Sequence, residues 1–204
     1  MNKRTLPDPQ SSADVKIINI QLLADDWFVL KKNTLDYRRR DGNWQRLSRE
    51  TYDRGNGAAV LLFNAEQQTV ILTKQFRFPA YVNNHPTGKL IEVCAGLLDG
   101  SDAETRIQEE IKEELGFYIC QPKKIFEAYM SPGSVTEKLH FFVASYTPSD
   151  RLSVGGGIES EGEDIEVLEI PLAQAMTMIS TGEIEDGKTI LLLQYAVAHG
   201  LDKL

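Results

Sequence analysis

Glu109-Glu110-Ile111-Lys112-Glu113-Glu114-Leu115-Gly116 sets four carboxylates within about two helical turns, with Lys112 the one cation among them. Residues three and four apart are neighbours on a helix, so Glu110, Glu113 and Glu114 share a face and Glu109 lies beside Glu113. Like charges at that spacing destabilise an isolated helix by about 0.2–0.5 kcal/mol per pair. A face of that kind calls for positive charge opposite it.

The flanking residues specify the helix that carries this run. Ser101-Asp102-Ala103-Glu104 has the form of a capping box, which predicts an N-terminus capped by Ser101. Ala103, Ile107, Ile111 and Leu115 recur every four residues as a stripe to bury. Arg106 and the glutamates occupy the other sides, and Gly116 suits a left-handed end. Two readings follow. One is a solvated acidic face, which most helical charge runs are. The other is a set of hard oxygen ligands for Mg2+ or Mn2+, ions that keep waters and bridge to substrate phosphates.

Composition narrows the class of protein. The chain has 204 residues, 42% of them hydrophobic, enough for one substantial core plus a modest extension. A net charge of −8 argues against a general nucleic-acid binder, whose affinity rests on lysine and arginine. Cys94 lies in an apolar run and Cys120 is unrelated by spacing, so reduced thiols are expected. His85, His140 and His199 are scattered without zinc spacing. No apolar signal region and no run long enough to span a membrane is seen, and a cytoplasmic location is expected.

Patterning along the chain is mixed α/β. Residues 1–12 read as a disordered tail, Pro-rich and polar. Strands are expected at 15–22, 27–32, 34–39 and 44–52, with Asp41-Gly42 as the hairpin turn before the last. Apolar runs at 58–63, 69–73 and 90–94 suit buried strands. Further strands are expected at 125–129, 139–146 and 166–170, and helices at 171–180 and 189–199. Arg38-Arg39-Arg40 reads either as a phosphate-reading patch or as a charged edge that blocks strand pairing.

Ala95-Gly96-Leu97-Leu98-Asp99-Gly100-Ser101-Asp102, followed by Glu110-Ile111-Lys112-Glu113-Glu114-Leu115-Gly116-Phe117, resembles the box of the Nudix hydrolases, which cleave nucleoside diphosphates linked to another moiety. The core Glu-aliphatic-x-Glu-Glu-x-Gly is matched in full. Three departures stand beside it. Asp102 replaces a glutamate, the spacer after it is one residue short, and Glu109 replaces an arginine that orients the metal-binding glutamates in the family. Arg106, one turn before Glu110, is a candidate substitute. The run Tyr52–Ala58, Lys74-Gln75-Phe76-Arg77, Tyr129-Met130-Ser131-Pro132-Gly133 and Gly187-Lys188-Thr189 resemble the nucleotide-sugar branch, and within it the GDP-mannose pyrophosphatases.

That resemblance implies the α/β/α sandwich of the family, with an extra N-terminal antiparallel hairpin or sheet. It divides the chain into a β extension at 13–55, used in a homodimer, and a hydrolase domain at 56–204. The implied activity is Mg2+-dependent hydrolysis of GDP-mannose, or of another nucleoside diphosphate sugar, to a nucleotide and a sugar phosphate. Hydrolysis of ADP-ribose or an ADP-sugar is the nearest alternative, and a non-catalytic nucleotide-sugar sensor is the alternative from another class.

The resemblance also implies a site. Glu110, Glu114, the backbone of Ala95 and a loop glutamate hold the metal, Mg2+ or Mn2+, with Glu113 assisting. The box carboxylates are committed to the cation, so the base is expected in the acidic loop 155–164, at Glu163 first and Glu161 second; without the family, this segment reads as a plain surface loop. Substrate is expected to meet Trp27, Arg49 and Glu50 across a dimer interface, Arg77, Ala95, Gly96, Glu114, Glu137, Gly162 and Lys188. Trp27 reads equally as a core aromatic, and Arg77 as half of an ion pair.

Overall fold

The computed structural model describes residue 6 and residues 8–204. Of the expected disordered tail, residues 1–5 and 7 lie outside the described residues. Residues 8–12 carry no helix or strand. They are tied by Asp8 to Lys31 at 2.7 Å and by Ser11 Oγ accepting from the Ile17 N–H at 3.0 Å.

Two compact units make up the chain, one of residues up to Asn56 with Tyr129–Lys138 and one of Gly57–Ala128 with Leu139–Leu204. The first unit is built on an antiparallel sheet of β1 (Val15–Asp25), β2 (Val29–Arg38) and β3 (Trp44–Asp53) in that order. Its hairpin turns at Asp41-Gly42, where Gly42 takes a φ of 84° and Asp41 Oδ1 accepts the Asn43 N–H at 3.0 Å. The sequence suggests a break at Asn33, yet β2 runs through it. Asn33 is buried and donates from Nδ2 to Thr51 Oγ1 at 3.0 Å, so its amide is satisfied inside the sheet. Tyr129–Lys138, expected to belong with the hydrolase domain, packs in this unit instead. The Thr136 hydroxyl donates to Asp53 Oδ1 at 3.0 Å, and Tyr52 N–H donates to Ser134 O at 2.8 Å.

The second unit holds a seven-stranded mixed sheet of β4 (Gly57–Asn64), β5 (Thr69–Phe76), β6 (Lys89–Glu92), β7 (Cys94–Leu97), β8 (Lys123–Tyr129), β9 (Lys138–Ser145) and β10 (Glu166–Pro171). The order is β10-β5-β4-β9-β8, with β6 on β5 and β7 on β4. Strand β4 lies parallel to β9 and antiparallel to β5 and β7. Every residue of β4 is buried, as expected of a strand covered on both faces. Ala58, Val60 and Leu62 join Ile107, Ile111, Leu115 and Phe117 in one apolar cluster. Ala59, Leu61 and Phe63 point the other way, and α4 (Gly187–His199) packs on β4 and β6. Helix α2 (Ala103–Glu110) packs on β4 and β7, and α3 (Leu172–Thr181) on β10. This is a sheet between helices, with the separate three-stranded sheet at the N-terminus.

Two departures from the sequence reading position the site. The expected strand at 90–94 is two strands, since the chain swings at buried Val93 from β5 to β4, and the Val93 N–H donates to Thr189 Oγ1 at 2.8 Å. A short helix α1 (Phe78–Val82) follows Arg77, at a place where the sequence carries no apolar period.

Candidate active site

The carboxylate run lies on α2 and on a π-turn that continues it from Ile111 to Leu115. Steps of four drift off a 3.6-residue face by about 120° between Ala103 and Leu115. The wider π-turn, closed by the Gly116 N–H on Ile111 O, takes back part of that drift. Ile107, Ile111 and Leu115 all reach the core, and Glu110 and Glu114, at the edge of that stripe, are buried beside it. The helix starts at Asp102, not Ser101. Asp102 Oδ1 accepts the Thr105 N–H at 2.9 Å and its Oδ2 accepts the Thr105 hydroxyl at 2.6 Å. Thr105 competes successfully because both its donors face the aspartate, and it holds the Asp102 carboxyl below its ordinary range.

The glycines of the acidic loop dock on the end of this helix. Gly156 N–H donates to Glu114 O at 2.9 Å and Gly157 N–H to Glu113 O at 3.2 Å, so the loop satisfies carbonyls that the helix end leaves open. A Cβ on Gly155 would lie 2.3 Å from Glu114 O, which only a bare backbone avoids. The chain then forms a single 3-10 turn at Glu159–Glu161 and returns through Gly162 to Glu163. Glu163 Oε2 accepts the Ile158 N–H at 2.8 Å. Glu161 and Gly162 are exposed.

Glu110 and Glu114 are buried at 5% and 2% exposure, unlike a solvated face. Burial, with Glu113 and Glu163 adding to it and Arg106 opposing it, pushes the Glu110 carboxyl up to about 7. Burial, then Glu110, then Glu163 push Glu114 up to about 8. Ala95 N–H donates to Glu114 Oε2 at 3.3 Å. The Cys94 thiol, also raised by burial and by Glu114, bonds the same carboxylate. A Cβ on Gly96 would fall 1.7 Å from Glu110 Oε1, so this carboxylate lies directly on the Ala95-Gly96 backbone. Half-buried Glu113 is on the same side, 3.8 Å from Arg106.

Arg106 supplies the positive charge the sequence calls for. Its guanidinium pairs with Glu110, with Glu109 at 3.2 Å and with Glu113 at 3.8 Å. Among the described residues no three His, Cys, Asp or Glu side chains converge as a closed ligand set. Glu110 turns to Arg106 and Glu163 to a backbone amide. The donors nevertheless fit a hard divalent cation: two buried carboxylates with raised affinity for positive charge, set against a glycine cradle.

Arg77 and Lys188 meet on a residue that the sequence reading passed over, Glu92. Arg77 donates to Glu92 Oε2 from Nε at 3.0 Å and from Nη2 at 2.7 Å. Lys188 Nζ lies 3.5 Å from Glu92 Oε1 and 3.0 Å from Asp186. The signal was an acidic residue in the otherwise apolar run 90–94. Arg77 is thus an ion pair, and its guanidinium also feels Glu114.

The remaining candidates belong to the first unit. Trp27 sits in a bend between β1 and β2, 70% exposed, which removes the core reading. Its ring meets Phe28 edge-on at 6.2 Å. Arg49 and Glu50 are exposed on β3. Glu137 is half-buried and pairs with Arg54 at 3.3 Å.

Comparisons with known proteins identify the family. Residues 14–52 match a family model described as the GDP-mannose pyrophosphatase NudK N-terminal domain. The chain is 52% identical over 190 residues to a GDP-mannose pyrophosphatase of Enterobacter sp., covering 93% of this chain and 98% of that one. It is 50% identical over 189 residues to one of Escherichia coli, covering 92% and 98%, and 51% identical to one of Pectobacterium atrosepticum, covering 93% and 97%. A solved ADP compounds hydrolase shares the fold, with a TM-score of 0.66 at 19% identity over 94% of this chain and 99% of that one. The chain belongs to the Nudix hydrolase family, in its GDP-mannose pyrophosphatase branch. Pyrophosphatases of this family work with divalent cations. Among the described residues no helix is long and apolar enough to cross a membrane.

Proposed function

We propose that the chain hydrolyses the pyrophosphate bond of a nucleoside diphosphate sugar, GDP-mannose first, to GMP and mannose 1-phosphate. The observation that carries this is the buried Glu110–Glu114 pair laid on the Ala95-Gly96 backbone, with Glu163 close enough to raise both carboxyls. The names of the half-identical relatives support the substrate.

Glu110, Glu114, the Ala95 carbonyl and Glu163 would hold Mg2+, or Mn2+, with Glu113 assisting. The bound ion supplies charge that offsets the diphosphate and the entering water. Glu163 takes the proton of that water, and Glu161 is the second choice. Arg106 orients Glu110. Arg77 meets the phosphates, and Glu137 and Lys188 the distal sugar phosphate. Ala95, Gly96, Glu114 and Gly162 line the diphosphate, and Trp27 stacks on the base. Arg49 and Glu50 come from the second copy of a homodimer, in which the N-terminal sheet is the contact. A cytoplasmic protein without nucleic-acid or membrane partners is the setting.

Incubation of the purified chain with Mg2+ and GDP-mannose, ADP-ribose or ADP-glucose tests the reading. GMP and mannose 1-phosphate in excess over the other products are expected. Preferred cleavage of an ADP compound moves the substrate, and binding without turnover makes the protein a sensor.

A further inference from the structure

We propose that Glu92 is the positioning residue that holds Arg77 and Lys188, cations from two separate elements, in the arrangement that receives a diphosphate. The proposal rests on the reading of these two cations as phosphate contacts. Arg77 begins α1 and Lys188 lies in the first turn of α4, so no local chain geometry sets the distance between them. Glu92 sets it. Its side chain is 3% exposed, whereas Arg77 is 39% exposed, so the carboxylate grips one edge of the guanidinium and Nη1 is left out of that grip. Lys188 Nζ is shared between Glu92 and Asp186.

Glu92 is itself fixed, at its carboxylate by Gln75 and at its backbone by Thr73. Gln75 Nε2 donates to Glu92 Oε2 at 3.3 Å, and the Thr73 hydroxyl donates to Glu92 O at 3.2 Å. The next residue is held by Thr189, whose own amide and hydroxyl are held by Asp186 at 2.9 and 2.6 Å. Glu92 and Asp186 therefore tie the swing between β6 and β7 to the start of α4. A buried carboxylate that points at cations next to an anion site lowers the local positive charge, which by itself weakens anion binding. Its gain is order. With Glu92 neutral the two cations repel each other and each recovers its rotamers, so a diphosphate must immobilise both.

Glu92→Gln is expected to raise KM for GDP-mannose in Mg2+ about tenfold while kcat stays within about threefold. The Kd for GDP-mannose in EDTA, read by calorimetry, should rise by a similar factor. The Arg77 Nε–H signal in the NMR spectrum should be lost in the variant. In an Arg77→Ala/Lys188→Ala background, which alone raises KM, Glu92→Gln should add less than about twofold. Glu92→Asp keeps the charge but withdraws it, and reads in the same direction should the glutamine variant not fold. Effects that multiply across the backgrounds, a retained Arg77 signal, or affinity equal to or above that of the unsubstituted chain overturns the proposal. Absence of turnover in the unsubstituted chain defeats the hydrolase reading alone, because the EDTA titration and the NMR signal still decide Glu92. Absence of GDP-mannose binding defeats both.

Discussion

At the scale of single residues, Glu163→Gln removes the group assigned to the water's proton and leaves the Ile158 N–H an acceptor in the amide oxygen. The kcat in saturating Mg2+ should fall about a hundredfold or more with an unchanged circular dichroism spectrum. Normal turnover would transfer the role to Glu161. Gly96→Ala drives a methyl into Glu110 and should weaken Mn2+ binding about tenfold or more, read by the paramagnetic signal of free ion. The raised carboxyls make a pH prediction. Glu110 and Glu114 titrate near 7 and 8 when folded against 4.5 when unfolded, so the folded state holds extra protons between those values. Stability from this source is fully present below about pH 4.5 and is lost as pH rises through about 7 and 8. In chelator Tm should drop from pH 5 to pH 8, and Glu110→Gln/Glu114→Gln should flatten the slope. Added Mg2+ should raise Tm most at pH 8, because binding releases protons.

At the scale of elements, the acidic helix depends on its end as much as its face. Gly116 has a φ of 76°, and a Cβ there would meet Ser153 O at 2.4 Å. Gly116→Ala should destabilise by about 1–3 kcal/mol in urea unfolding and loosen the loop that carries Glu163. A change below about 0.5 kcal/mol would show that the loop is held elsewhere. The stripe of Ile107, Ile111 and Leu115 was legible because its period is local. The π-turn was not, because it answers the need of both the stripe and the carboxylates to stay in phase over twelve residues. The capping residue was misplaced by one, since Thr105 supplies a second donor that the capping-box pattern ignores. By sequence the glycines at 155–157 belong to a plain surface loop, whereas the Gly156 and Gly157 amides are acceptor-matched to the helix end.

At the scale of the whole molecule, the N-terminal sheet leaves Ile18 at 47%, Leu22 at 57% and Leu23 at 40% exposure. Apolar side chains in that number on a three-stranded sheet favour burial against a second copy. Light scattering should give twice the chain mass, and Ile18→Asp/Leu22→Asp should give a monomer with reduced turnover; a monomeric unsubstituted chain would remove the dimer. What the sequence determined by itself was whatever rests on near neighbours: the carboxylate spacing, the buried stripe, the hairpin at Asp41-Gly42 and the apolar runs that become β4 and β5. Only the tertiary structure decided that Glu92 joins Arg77 to Lys188, that the glycine loop closes on Glu114, and that Tyr129–Lys138 belongs to the first unit. Those contacts link residues far apart in the chain, and one sequence carries no record of which distant polar groups burial will force to find each other.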